Sequence, residues 1–343
     1  MKQANELESL ANSIHGITSP FRSYLSDIHE QLRGIQEGKI TNYTPELVPI
    51  DPDCFGINVI TTQAEEFEVG DSNQFFTLQT LVNLLIYGLV LEDYGREYIT
   101  SRISIEPTIN HPYQLELAAG THTPKNPLST AGAITVTDLI KGNSLQDKLQ
   151  RVLDMLSRYT GRTLEVDTSV FQAQKAAANY ERGLTFWLRQ CGALSDNLQD
   201  TLKLYLQLQA ILVNSNDLAM IGATLANGGV NPITEQRAME KAYVQDILAL
   251  LTACGLGNDS QQWLYRVGIP TQSSIGGGTL AVIPNQLGIG IFSPLINEAG
   301  HSVRGLKVTQ TIAKEFGLHL FNVASPAQTI RSLIESSNPD EDW

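Results

Sequence analysis

Strand-like segments lie at two distant places in this chain, and a mostly helical stretch separates them. Over 55–61 the residues alternate and are β-branched, and a short acidic connection leads to a second strand at 67–69. Far downstream, 279–283 and 287–292 read as two more strands, with Pro284, Asn285 and Gln286 turning the chain between them. In between, apolar residues recur at steps of three and four over 76–92, 145–157, 171–190, 197–213 and 235–254, the period of helices. Strands must pair, so both chain ends are expected to meet in one antiparallel sheet. The middle then forms a helical lobe beside it, an α+β architecture. A further helix at 303–316 would cover one face of the sheet.

Two shorter helical patterns precede the first strand. Leu7, Leu10, Ala11 and Ile14 make one stripe; after Pro20, Phe21, Leu25, Ile28, Leu32 and Ile35 make another, which Gly38 is expected to end. The resulting division is 1–37 for the N-terminal helices, 38–75 with 256–322 for the sheet lobe, 76–255 for the helical lobe and 323–343 for an acidic tail. Together these parts make one domain. A chain of 343 residues that is 42% hydrophobic is long enough to bury such a core.

Charge and cysteine usage narrow the function classes. Acidic residues outnumber basic ones 36 to 23, giving a net charge of −13. Nucleic acid and anionic membranes both need clustered Lys and Arg, so neither is expected as a partner. The stretch 81–91 is interrupted by Asn83 and is too short to span a bilayer, and no secretory leader is visible. Cys54, Cys191 and Cys254 form neither a zinc spacing nor a disulfide framework. A cytoplasmic protein without metal or cofactor is the expectation. His122 reads as an ordinary loop histidine, and Gly276 to Gly278 as a turn entering a strand.

A series of short segments, in order, carries a resemblance. It begins at Gly38-Lys39-Ile40-Thr41-Asn42-Tyr43-Thr44-Pro45-Glu46-Leu47, then Gly70-Asp71, Phe76-Thr77-Leu78-Gln79 and Glu106-Pro107-Thr108. It continues through Asn126-Pro127, Ala131-Gly132-Ala133-Ile134, Leu225-Ala226-Asn227-Gly228-Gly229 and Thr252-Ala253-Cys254-Gly255. It ends at Val267-Gly268-Ile269-Pro270, Gly276-Gly277-Gly278, Gly288-Ile289-Gly290-Ile291 and Leu320-Phe321. From Ile28 to Phe321 the chain resembles the bacterial-type glutaminases, a serine-dependent family with the fold of β-lactamases and penicillin-binding proteins.

That resemblance implies a serine that attacks the side-chain amide of glutamine and a lysine three residues later. Residues so spaced share one helix face, which lets the amine take the hydroxyl proton. The family's Gln-Ser-Ile-Ser-Lys is here Gln79-Thr80-Leu81-Val82-Asn83. Thr80 keeps a hydroxyl, but a carboxamide at Asn83 has no lone pair basic enough to accept a proton near neutral pH. By the same resemblance, the substrate-binding asparagine becomes Thr130, and the Glu and Asn seven residues apart are expected at Gln172 and Asn179. The active-site tyrosine becomes Gly257, and Lys-Ser-Gly-Val becomes Gln272-Ser273-Ser274-Ile275. Tyr43, Asn179 and Tyr205 match, with Ile275 at an oxyanion-hole amide.

Losing base, charged anchor and tyrosine together implies a catalytically degenerate member, a pseudoenzyme in protein interaction or assembly. Two alternatives stand beside it. One is a small-molecule or amino-acid binder or sensor using the remodelled pocket. The other is a weakly active glutaminase or other amidohydrolase with Thr80 as nucleophile. The resemblance further implies a homo-oligomer, dimer or tetramer, with an unidentified protein as a second kind of partner.

Overall fold

The computed structural model describes residues 20–41, 50–107, 117–118 and 123–322. The N-terminal stripe of Leu7 to Ile14, Tyr43, His122 and the acidic tail lie outside the described residues.

Helix α1, Pro20–Arg33, starts on a proline, whose missing N–H costs nothing in a first turn. It ends at Arg33 and not at Gly38, which instead has a φ of 100° and lies against the backbone of Ile296. Strands β1, Gly56–Thr61, and β2, Glu66–Gly70, form the expected hairpin, with Ile57 opposite Val69. Phe76 and Thr77 are β3 rather than the start of a helix. A single 3-10 turn, Gln79–Leu81, then runs into α2, Val82–Arg102, which is broken at Gly95. Helices α3, Thr130–Leu139, and α4, Leu145–Thr160, follow, both N-capped by serine side chains.

The stretch 171–190, which reads as one helix, is two: α5, Thr168–Ala177, and α6, Asn179–Gln190. Ala178, at ψ 48°, breaks them apart. Helix α7, Leu198–Gln209, likewise stops short, because Leu212 and Val213 form β4 and pair with β3. Helix α8, Ser215–Ala226, opens on a capping box between Asn214 and Asp217. Beyond it come α9, Lys241–Cys254, and α10, Ser260–Arg266. Strands β5, Thr271–Ser273, β6, Gly278–Ile283, and β7, Leu287–Phe292, and helix α11, Val303–Glu315, complete the order.

The sheet runs β2-β1-β7-β6-β5 and is antiparallel throughout, so both chain ends meet as the sequence implies. Register explains how it is covered. Ile57 lies opposite Ile291 and Val59 opposite Ile289. These side chains share one face, where they pack with Phe21, Leu25 and Ile28 of α1 and Val308 and Ile312 of α11. The alternate positions of β7 are Gly288 and Gly290. A Cβ on Gly288 would lie 2.1 Å from the Ala223 nitrogen, and one on Gly290 would lie 2.0 Å from the Ser215 carbonyl oxygen. Helix α8 therefore rests its backbone directly on β7, which only residues without a side chain permit. Ser215 fixes its N-terminal end, donating to Asn58 Oδ1 of β1 at 2.6 Å. The larger core lies on the far side of α8, among α2, α4, α7 and α9.

Candidate functional site

Thr80 occupies the turn that enters α2, at the junction of the helical lobe and the sheet. Gln79 before it has a φ of 50°, which few residues other than glycine adopt, so the backbone is held in an unfavourable conformation next to the hydroxyl. Two contacts hold it there. Gln272 of β5 donates its side-chain amide to the Thr80 carbonyl at 3.0 Å. Gln79 Nε2 donates to Thr77 Oγ1 at 2.8 Å, while its Oε1 accepts from Gln174 Nε2 at 3.0 Å.

Asn83 lies one turn further along α2 and is fully buried. Its Nδ2 donates to the Leu128 carbonyl at 3.4 Å, and its Oδ1 accepts from Gln209 Nε2 at 3.0 Å. A neutral amide with both ends committed therefore stands where the resemblance puts an amine. Carboxamides surround Thr80: Gln79, Asn83, Gln174, Gln209 and Gln272 are all buried.

A pocket of about 490 Å³ opens over Thr80. Among the expected residues it collects Gln79, Thr80, Thr130, Tyr205 and Ile275. The Tyr205 phenol hydrogen-bonds Thr130 and is held above its ordinary acidity range, first by burial and then by the negative charge of Glu181. It stays protonated at neutral pH.

Gln172 and Asn179 are placed elsewhere. Both are exposed and neither lines the pocket; Asn179 Oδ1 instead accepts from Arg182 at 3.1 Å. Gln174 and Glu181, two positions further on and again seven apart, line the pocket in their stead. The reason is helical phase: Val170, Phe171 and Gln174 form the inward side of α5, and Glu181, Leu184, Thr185 and Leu188 that of α6. The carboxylate thus stands on the second helix of the pair and the carboxamide on the first. Burial periodicity was the signal that could have located them.

Gly257 is not among the lining residues, and its φ of 54° would strain any side chain placed there. Lys39, Thr41 and Tyr180 line the pocket as well, and Glu298 stands at its rim. Among the described residues, no group of three or more His, Cys, Asp or Glu is arranged to hold a metal ion, and no helix is long and apolar enough to cross a membrane.

The antiparallel sheet, the helical lobe and a hydroxyl presented at a helix start between them define an α+β protein of the β-lactamase-like class. The sequence profile named Glutaminase matches residues 38–321, and the chain belongs to that family. It is 46% identical over 338 residues to a Glutaminase of Microcystis aeruginosa, covering 98% of this chain and 100% of that one. To a Glutaminase of Trichormus variabilis it is 41% identical over 303 residues, covering 88% and 91%. Among solved structures, the probable glutaminase ybaS gives a TM-score of 0.84 at 32% identity, covering 88% of this chain and 98% of that one. The probable glutaminase from Bacillus subtilis complexed with 6-diazo-5-oxo-L-norleucine gives 0.80 at 28%, covering 88% and 96%.

Proposed function

We propose that this glutaminase-family protein does not hydrolyse glutamine and that its scaffold serves in the cytoplasm as an interaction or assembly module. The observation that carries this reading is Asn83. It is fully buried on the helix of Thr80, with its amide engaged at both ends by Leu128 and Gln209. An amide so placed takes no proton from a hydroxyl near neutral pH, and removing the base from such a set costs on the order of a million-fold in rate. Gln272 supports the same reading. It latches the Thr80 backbone and supplies no charge.

Glutamine is the amide to test, because the relatives at 46% and 41% identity are named Glutaminase. Purified protein should release no ammonia from L-glutamine above the blank. A turnover of about one per second, ordinary for an enzyme, would refute the reading. Self-association belongs to the same proposal, and light scattering at micromolar concentration should give a mass above the 37.6 kDa of one chain.

The second reading, a small-molecule binder, is favoured by one specific observation. Gln174 Oε1 is buried in the pocket wall without a hydrogen-bond partner in the protein.

A further inference from the structure

A second pocket lies among α5, α6 and α7, apart from the one over Thr80. Lys175 and Arg182 line it, and each directly follows a residue of the first pocket, Gln174 and Glu181. One step along a helix turns the side chain by about 100°, so the same helix pair shows different residues to the two cavities. Lys203 of α7 completes the basic side, and Leu206 is common to both linings.

Three cations thus meet in a chain whose net charge is −13. None of the three forms an ion pair among the described residues, and Asp200 is the one carboxylate in the lining. Arg182 is half-buried, and its guanidinium is held in place. It donates to Asn179 Oδ1 at 3.1 Å and to the Lys175 carbonyl. The second bond ties it to α5 beside Lys175, and its other N–H groups stay open to a ligand. Like charges gathered in this way repel one another, and an anion seated among them relieves that repulsion. Three cations against one carboxylate suit an anion of more than one charge.

The rest of the lining is apolar. Leu198, Leu202 and Leu206 supply it, with Phe186 68% exposed at its side. A cavity of about 460 Å³ has room for an organic molecule, whereas a bare inorganic ion would leave the leucines and the phenyl ring uncovered. A ring so exposed gains most from a flat apolar group laid against it.

We propose that this pocket binds a small organic anion of two or more negative charges. Its charged group sits among Lys175, Arg182 and Lys203, and its apolar part covers Phe186 and the leucines. The site goes beyond the readings of the pocket over Thr80 and depends on none of them. Phosphate monoesters and polycarboxylates both carry the paired oxygens that a guanidinium matches.

Calorimetry on the full chain at low salt separates these two sources. The probes are AMP, phenyl phosphate and benzene-1,3,5-tricarboxylate, with adenosine and inorganic phosphate as controls. At least one probe should bind at submillimolar concentration, and both controls at least ten-fold more weakly. Binding by the two esters alone assigns the site to phosphate monoesters, and binding by the tricarboxylate alone assigns it to polycarboxylates. Binding by all three means that the pocket reads charge and not the group that carries it. Raising the salt should weaken binding, because the cations are partly open to solvent. Lys175→Gln combined with Lys203→Gln alters two exposed side chains and should weaken the bound probe by ten-fold or more. Lys39→Gln, in the other pocket, should leave it unchanged. No binding by any probe at millimolar concentration overturns the proposal, as does a double variant of unchanged affinity. Adenosine that binds as well as AMP would show that charge is not read, and inorganic phosphate that binds as well as the esters would remove the apolar half. A loss on Lys39→Gln equal to that of the double variant would place the ligand over Thr80 and overturn the assignment.

Discussion

Gln209 of α7 donates its side-chain amide to Asn83 of α2 across 3.0 Å, and both side chains are buried. Because Asn83 also donates to the Leu128 carbonyl, its amide cannot rotate without breaking one bond or the other. The position one turn beyond Thr80 is thus a structural tie between the two helices and the segment leading to α3.

That tie is open to a double-mutant cycle. Asn83→Leu strands Gln209 Nε2 and the Leu128 carbonyl, and Gln209→Leu strands Asn83 Oδ1. Each is expected to cost about 1–3 kcal/mol in urea unfolding, the usual penalty for an unpaired buried polar group. The double mutant should cost less than the sum of the two by about 1 kcal/mol. Strict additivity would show that the two amides do not interact.

Restoring the pair Thr80→Ser and Asn83→Lys alone is expected to leave glutamine hydrolysis at the level of the unaltered protein. The new lysine would reach the Leu128 carbonyl, an acceptor that favours its charged form and opposes use as a base, while Gln209, which donates its Nε2 to position 83, would have to turn its amide to accept from it. Gly257, at a φ of 54°, would still offer no side chain. An ammonia-release assay decides the matter. Turnover near one per second in this double mutant would show that the rest of the pocket does not matter.

Gly290→Ala is expected to destabilise the protein by about 1–3 kcal/mol or more, through overpacking. The new methyl would fall 2.0 Å from the Ser215 carbonyl oxygen, which is backbone and cannot swing aside. Thermal unfolding is the measurement. An unchanged midpoint would mean that α8 does not rest on β7 as described.

His301 gives a pH dependence of defined sign. Burial pushes its imidazole below the ordinary value of 6.5, outweighing Asp259 at 3.6 Å and the Leu256 and Ser273 backbone, which pull upward. An unfolded chain therefore takes up a proton below 6.5 that the folded chain refuses. The associated stability is complete above 6.5 and is lost as pH falls through the lowered folded value. The loss is at most about 1.4 kcal/mol for each pH unit. His301→Asn should flatten the unfolding free energy between pH 7 and pH 5 relative to the parent. Equal slopes would mean that His301 is not the group responsible.

Much of the architecture was legible because it is local. Alternation marked β1, β2, β6 and β7, and the turn at Asn285, with its φ of 63°, fell where Pro284 and Gln286 bracket it. Thr80 and Asn83 lie one turn apart where the 3-10 turn runs into α2, the arrangement that their three-residue spacing gives once the segment is helical. Three helices, α3, α8 and the seven-residue α10, went unread in the sequence. Helix α8 is buried on all sides and α3 nearly so, leaving no polar stripe to reveal a period.

The pocket wall was decided by tertiary structure. Seven residues separate Gln172 from Asn179 and also Gln174 from Glu181, so spacing alone fits both pairs. The break at Ala178 and the packing of Phe171 and Leu184 set the phase of α5 and α6, which faces Gln174 and Glu181 into the pocket and turns Gln172 and Asn179 to solvent. A carboxylate thereby enters a site whose sequence motif reads as having lost one. A helix fixes which residues share a face, but only its neighbours fix which face is turned inward.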